Sequence, residues 1–322
     1  MTHKNILVIQ TAFIGDAILA SSVLEKMHLF FPQAKISLLV RKGNETLYHE
    51  HPFLHRILVW NKKEGKYRSL LKLLKIIRSH KFDTVINLHR HASSGFITAF
   101  SKASYTSGYN KNPFSFLFNY KAPHIIGDGR HEIQRYNDLI ETITDKTIAK
   151  PKLYPTFKQF SAIEQYITLP FVCMAPSSVW ATKQLPPHKW EELCNSMSKE
   201  TTIYLLGATN DIKLCSFIKE KSKHLNIHIL AGKLSLLESC ELMKYASMNY
   251  VNDSGPLHLA SAVNAPTTAF FCSTIPEYGF YPLSTNSRVV EVKGLACKPC
   301  GLHGFKACPK NDFKCGNEII ID

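Results

Sequence analysis

Asn5-Ile-Leu-Val-Ile-Gln10 runs directly into Thr11-Ala-Phe-Ile-Gly-Asp16, and an amphipathic stretch follows until Pro32. Ile6 to Ile9 are continuously apolar and branched, which reads as a buried strand. Residues 16–31 read as a helix, ended where proline cannot continue it. Strand, short loop and helix form the opening unit of a parallel sheet covered by helices. Working outward, the same grammar recurs. Strands are expected at 35–40, 56–60 and 82–88, and helices at 66–80, 94–102 and 130–144. Residues 110–130 interrupt it with Asn, Pro and Gly, and with Phe114, Phe116, Phe118 and Tyr120 at alternate positions. Residues 150–155 read as extended, because their two prolines disfavour helix.

The second half repeats the pattern. Strands are expected at 171–175, 201–206, 227–230, 249–252, 267–271 and 289–292, and helices at 187–199, 210–222, 236–246 and 256–263. The fold class is α/β, with two doubly wound, Rossmann-like domains and a linker within 150–168. The domains are drawn as 1–160 and 161–322. Ligands of such sheets sit outside the carboxyl ends of the strands. The expected site is therefore a cleft that the two domains face.

Composition bounds the function. The chain has 322 residues, 45% hydrophobic and 20% charged, enough for two ordinary cores. That excludes a disordered tail, a collagen-like fibre and a disulfide-dense mini-protein. Lys and Arg number 39 against 25 Asp and Glu, a net charge of +14. Such a surface favours polyanions, whether nucleic acid, nucleotides, phosphorylated glycans or an anionic membrane face. The first residues are too short for a signal peptide and no long apolar run follows, so the expected location is cytoplasmic.

Three strand-end loops carry chemistry. In the first, Gly15 is expected to make a tight turn and Asp16 to sit near the helix N-cap, either as a cap or as a carboxylate that takes a proton from a sugar hydroxyl. The second is Asn252-Asp-Ser-Gly-Pro-Leu-His-Leu-Ala260. Asp253, Ser254 and Gly255 form its turn, Pro256 suits the first helical position, and the free amides with His258 suit an anion. The third, Ala175-Pro-Ser-Ser-Val-Trp-Ala-Thr-Lys183, offers hydroxyls at Ser177, Ser178 and Thr182 and a cation at Lys183, a donor set for a diphosphate. The three-glycine dinucleotide fingerprint is missing, which speaks against a nicotinamide enzyme.

Together these loops resemble the ADP-heptose:lipopolysaccharide heptosyltransferases, glycosyltransferase family 9, in the flavour of the second heptosyltransferase. The resemblance runs over nearly the whole chain and is most specific at residues 252–260. Gly207-Ala-Thr-Asn-Asp211, Ser107-Gly-Tyr109 and the pair His131-Glu132 are also similar to the family pattern. It implies a GT-B fold, inversion at the anomeric carbon and no catalytic metal. It implies Asp16 as base, Lys183 with the amides of Ser254 and Gly255 on the diphosphate, and Asp211 on the ribose. Leu234 would lie near the base, and Asp253 and His258 would face the donor. The implied partners are ADP-heptose, the lipopolysaccharide core and the cytoplasmic face of the inner membrane, with no nucleic acid. Departures are Leu185, where the family usually has an aromatic, and an end at Asp322 without the long last helix. Rival readings are a GT-B transferase of another nucleotide sugar in cell-surface glycan synthesis, and a basic nucleic-acid-binding protein.

His89, Arg90 and His131 are candidates for an acidic acceptor, His89 and Arg90 because they follow a strand end. The run Lys62, Lys63, Lys66 and Arg68 reads as a solvated face, with lipid contact as its functional alternative. The nine cysteines all lie in the second half. Five read as reduced core thiols. The last four, Cys297, Cys300, Cys308 and Cys315, read either as a structural zinc site or as thiols open to disulfide formation.

Overall fold

The computed structural model describes residues 3–321 except 64, 168 and 169. Thr168, at the end of the expected linker, and Asp322 therefore lie outside the described residues. The chain divides into two compact units, Met1–Ile126 with Arg130–Tyr154, and Gly127–Gly129 with Pro155–Asp322.

Unit 1 contains β1 (Asn5–Gln10), α1 (Ile14–Leu19), α2 (Ser21–Phe30), β2 (Lys35–Arg41), β3 (Leu54–Trp60), α3 (Lys66–Ser79), β4 (Thr84–Asn87), α4 (Ala92–Ala99), β5 (Tyr105–Tyr109), β6 (Tyr120–Ala122) and α5 (Glu132–Asp138). Its six strands are ordered β3-β2-β1-β4-β5-β6, with every adjacent pair parallel. Ile6 to Ile9 are completely buried, as a parallel strand covered on both faces requires.

Unit 2 contains α6 (Phe157–Ile163), β7 (Phe171–Ala175), α7 (Pro187–Ser196), β8 (Thr202–Leu205), α8 (Ile212–Lys221), β9 (Ile227–Ile229), α9 (Leu236–Tyr245), β10 (Met248–Asn252), α10 (Gly255–Ala262), β11 (Thr267–Phe271), β12 (Ser287–Glu291) and α11 (Lys314–Asn317). Its order, β12-β11-β10-β7-β8-β9, is the order of unit 1 read from the other edge. Both sheets thus reverse direction beside their first strand, between β1 and β4 and between β7 and β10. That switch point is where open α/β sheets bind ligands.

Three expectations change. The helix over 16–31 is broken at Ala20 into α1 and α2. The Ser21 and Ser22 hydroxyls donate to the Ile18 and Leu19 carbonyls at 2.6 and 2.8 Å, and the Tyr48 hydroxyl donates to the Ala17 carbonyl. These bonds compete with a continuous helical ladder. The helix over 130–144 shortens to α5, and the Ser107 hydroxyl takes the Leu139 carbonyl at 2.6 Å just beyond it. Within 150–168 a short helix, α6, starts at a Thr156–Gln159 capping box.

Candidate active site

In unit 1 the loops after β1 and β4 meet. Thr11 Oγ1 and His89 Nδ1 are 3.2 Å apart, and the His89 and His91 rings pack edge to face at 4.4 Å. Lys62 Nζ donates to the Thr11 carbonyl at 2.8 Å and lies over the Trp60 ring at 4.8 Å. Lys62 is exposed, as its reading within a solvated run expects, while its ammonium group braces the first loop. Arg41 lies over Phe13 at 5.5 Å, and Arg90 is half-buried beside the histidines. The arrangement is cationic around a neutral imidazole.

Asp16 is not the N-cap. Phe13 caps α1, Gly15 lies inside the helix rather than in a turn, and Asp16 occupies the first helical turn, half-buried. Behind this loop lies a buried polar wall. Gln10 donates to the Tyr136 hydroxyl at 2.8 Å and accepts the Ala12 N–H at 3.1 Å. Glu132 is clasped by Arg135 at 3.0 Å and by His124 at 3.1 Å. Burial pushes the Tyr109 and Tyr136 hydroxyls well above their ordinary range, and Asp16 and Glu132 add to both shifts. His131 is 1% exposed, and its Nδ1 caps α5 by accepting the Ile133 N–H at 3.2 Å. That corrects its reading as an acceptor contact, because the ring is buried and its Nδ1 caps the helix that Glu132 begins.

Burial, followed by His91, Lys62 and Arg90, holds the His89 imidazole down to about 3. Its unfolded value is near 6.5, so the unfolded chain takes up this proton first. The stability that neutral His89 preserves is complete above about pH 6.5 and falls as pH drops toward about 3. Between pH 7 and pH 5 the expected loss is about 1–2 kcal/mol. His89→Gln is expected to flatten this slope, measured by urea unfolding at the two pH values.

In unit 2 the loops after β7 and β10 are bound more tightly. Lys183 Nζ contacts Asp253 Oδ2 at 2.5 Å, and the Thr274 hydroxyl donates to the same oxygen at 2.6 Å. Asp253 is 5% exposed. Ser254 is the extended N-cap of α10, with Gly255 and Pro256 in its first turn. His258 is buried in that helix, its ring 6.2 Å from Phe280. Ser177 and Ser178 lie half-buried on the loop after β7. Thr182 is 3% exposed, and its hydroxyl bonds Phe305 and Ser273. Its reading as a donor contact is corrected to a structural one.

Asn252 was assigned no role by the sequence, yet it ties the two loops together. Its side chain donates to the Pro176 carbonyl at 2.8 Å and accepts the Leu185 N–H at 2.9 Å, and the residue is wholly buried. The only local signal was an amide side chain at a strand end. Asp211 and Leu234 lie beyond β8 and β9 on the flank of this pair. The Gly232 N–H donates to the Gly207 carbonyl at 2.8 Å and joins their loops. Asp211 Oδ2 accepts the Ala208 N–H at 2.7 Å, and Leu234 is half-buried just before the Ser235 cap of α9.

The last four cysteines are free thiols. Burial and the neighbouring thiols push Cys315 up to about 11 and raise Cys300. Among the described residues, no three His, Cys, Asp or Glu side chains are disposed to hold a metal ion.

Residues 70–305 match the profile of glycosyltransferase family 9 (heptosyltransferase). The chain is 24% identical over 310 residues to lipooligosaccharide heptosyltransferase 2 of Haemophilus influenzae, covering 89% of this chain and 88% of that protein. The solved structure of Escherichia coli ADP-heptose LPS heptosyltransferase II superposes with a TM-score of 0.76 at 20% identity, over 98% of each chain. That of E. coli heptosyltransferase WaaC with ADP-2-deoxy-2-fluoro heptose gives 0.71 at 18% identity, over 92% of this chain and 95% of that one. The shared fold is GT-B.

Proposed function

The chain belongs to glycosyltransferase family 9, and from that premise we propose that it transfers heptose from ADP-heptose to the lipopolysaccharide inner core, with inversion. The observation that carries this reading is the Lys183–Asp253 pair, set at the switch point of unit 2 beside the open amides of α10. A diphosphate needs a cation and backbone donors at one place, and a helix start supplies the donors with a favourable dipole. Ser177 and Ser178 add hydroxyls, Asp211 takes the ribose, Leu234 packs near the adenine, and His258 sits under the phosphates. Unit 2 is thus the donor-binding domain and unit 1 the acceptor domain.

The acceptor hydroxyl oxygen forms the new bond to the anomeric carbon while that carbon's bond to the β-phosphate oxygen breaks. ADP leaves with the bonding electrons, and the hydroxyl proton passes to Asp16. Positive charge grows on the sugar ring and negative charge on the departing diphosphate. Lys183 and the amides meet the second change. Arg90, beside neutral His89, meets an acidic acceptor.

No step calls for a metal. A zinc ion on Cys297, Cys300, Cys308 and Cys315 would serve the fold of that segment, not transfer. Among the described residues, no helix is long and apolar enough to cross a membrane. The net charge of +14 supports peripheral contact with anionic lipid at the cytoplasmic face of the inner membrane.

The test is thermal stabilisation by a nucleotide panel. At a hundred times its Kd a ligand adds about 2.7 kcal/mol of stability. ADP and ADP-heptose are expected to raise the melting temperature, with UDP and GDP well behind and chelator without effect on transfer. A larger shift with UDP or GDP overturns the donor assignment.

A further inference from the structure

The cysteine-bearing segment after β12 takes no part in the transfer just described, yet it is stitched to the loop that carries Lys183. Lys298 Nζ is nearly buried, pairing with Glu291 at 2.7 Å and donating to the Phe271 carbonyl at 2.9 Å. The Cys300 N–H donates to the Ser273 carbonyl at 2.8 Å. The Thr182 N–H then donates to the Phe305 carbonyl at 3.1 Å, and the Phe305 N–H returns to Thr182 Oγ1 at 2.8 Å. Ser273 Oγ donates to the same Thr182 oxygen at 3.0 Å, and the Thr182 hydroxyl faces the Phe305 carbonyl at 3.2 Å. Every capacity of that hydroxyl is used. The His303 ring stacks on Trp180, with centroids 6.4 Å apart.

These bonds close a circuit. Thr182 precedes Lys183, Lys183 pairs with Asp253, Asp253 takes the Thr274 hydroxyl, and Ser273 returns to Thr182. Gly304 lets the segment approach. Its φ is +77°, and a Cβ there would lie 2.8 Å from Thr182 Oγ1, 3.0 Å from Ser273 Oγ and 3.2 Å from Lys183 Cγ. Any side chain at 304 therefore pushes on the lysine and its anchor together.

We propose that Thr182, Gly304 and Phe305 are positioning residues for Lys183, so that the segment after β12 sets where the ammonium group meets the diphosphate. The inference rests on the reading of Lys183 as the diphosphate cation. Thr182→Val keeps the shape and deletes the hydrogen-bonding node, Thr182→Ser keeps the node, and Gly304→Ala presses on it from the other side.

ADP and AMP affinities, measured by calorimetry, separate the outcomes, together with kcat and KM for the nucleotide sugar. Thr182→Val and Gly304→Ala are each expected to weaken ADP about tenfold and to raise the donor KM similarly, while AMP binding holds within about twofold. Thr182→Ser is expected to restore wild-type values. Should Thr182→Val misfold, Gly304→Ala and Thr182→Ser carry the same comparison. Equal weakening of ADP and AMP would mark a merely structural segment and overturn the proposal, as would unchanged ADP affinity in folded variants. Lys183→Met separates the two levels. If it leaves ADP affinity intact, the diphosphate reading itself fails. If it weakens ADP while Thr182→Val and Gly304→Ala do not, only the positioning role fails.

Discussion

Asp16→Asn lowers kcat by about 10²–10⁴ and leaves ADP affinity unchanged, the range expected when a positioned general base is lost. The argument is partly one of elimination around the loop after β1. Tyr109 and Tyr136 are buried, and their hydroxyls are pushed well above the ordinary range, with Asp16 itself contributing, so they stay protonated. His89 is held down to about 3, which makes its neutral imidazole a poor proton acceptor at neutral pH. Lys62 and Arg90 carry positive charge. Glu132, the other carboxylate facing these tyrosines, is buried and held by Arg135 and His124, which leaves Asp16, half-buried in the first turn of α1. Asn preserves size and most hydrogen bonding but accepts no proton. Transfer assayed with saturating donor, beside calorimetry with ADP, reads the two effects apart. Turnover within about threefold of wild type would remove Asp16 from the chemistry.

The sequence disclosed the fold through its fully buried strands. Residues 5–10 and 171–175 needed no tertiary context, because a parallel strand covered on both faces is apolar throughout. The loops after β1 and β7 were legible for the same reason, since each follows such a run. β5 and β6 were not. Tyr105-Thr-Ser-Gly-Tyr109 is short and polar for a buried strand, and what fixes it is distant: Asn119 takes the Thr106 N–H at 2.8 Å, and the Leu139 carbonyl takes the Ser107 hydroxyl. The site divided similarly. Asp16 and Asp253 were visible as charges beside glycine or serine just past strand ends, and Lys183 as a cation on a hydroxyl-bearing loop. The identity of the partners was not, because Asn252 finds its partners 67 and 76 residues away and Thr182 finds Phe305 at a separation of 123. A local pattern assigns a hydroxyl such as that of Thr182 to the ligand by default, and only packing shows that it is already committed.

Lys183→Met is expected to cost both stability and transfer, and a second substitution separates the two losses. Lys183 and Asp253 are 15% and 7% exposed at their side chains, and their contact is 2.5 Å. Removing the lysine leaves Asp253 with the Thr274 hydroxyl but without its cation. Breaking a pair this deeply set costs about 3 kcal/mol, most of it the penalty of a buried charge left uncompensated. Asp253→Asn in the same chain removes that charge, keeps an oxygen for Thr274, and is expected to return most of the lost stability. It does nothing for the departing diphosphate, which still lacks its cation, so kcat/KM stays about 10²–10³ below wild type in both variants. Urea unfolding and transfer kinetics on the wild type, both single variants and the double variant complete the cycle. A double variant no more stable than Lys183→Met would show that the pair does not carry the local energetics. Near-normal transfer in Lys183→Met would sink the role given to the lysine, whatever the stabilities. The expected split, with stability recovered and transfer not, follows from the two demands on one ammonium group: it neutralises Asp253 in the free protein and must also serve the phosphates once the donor is bound.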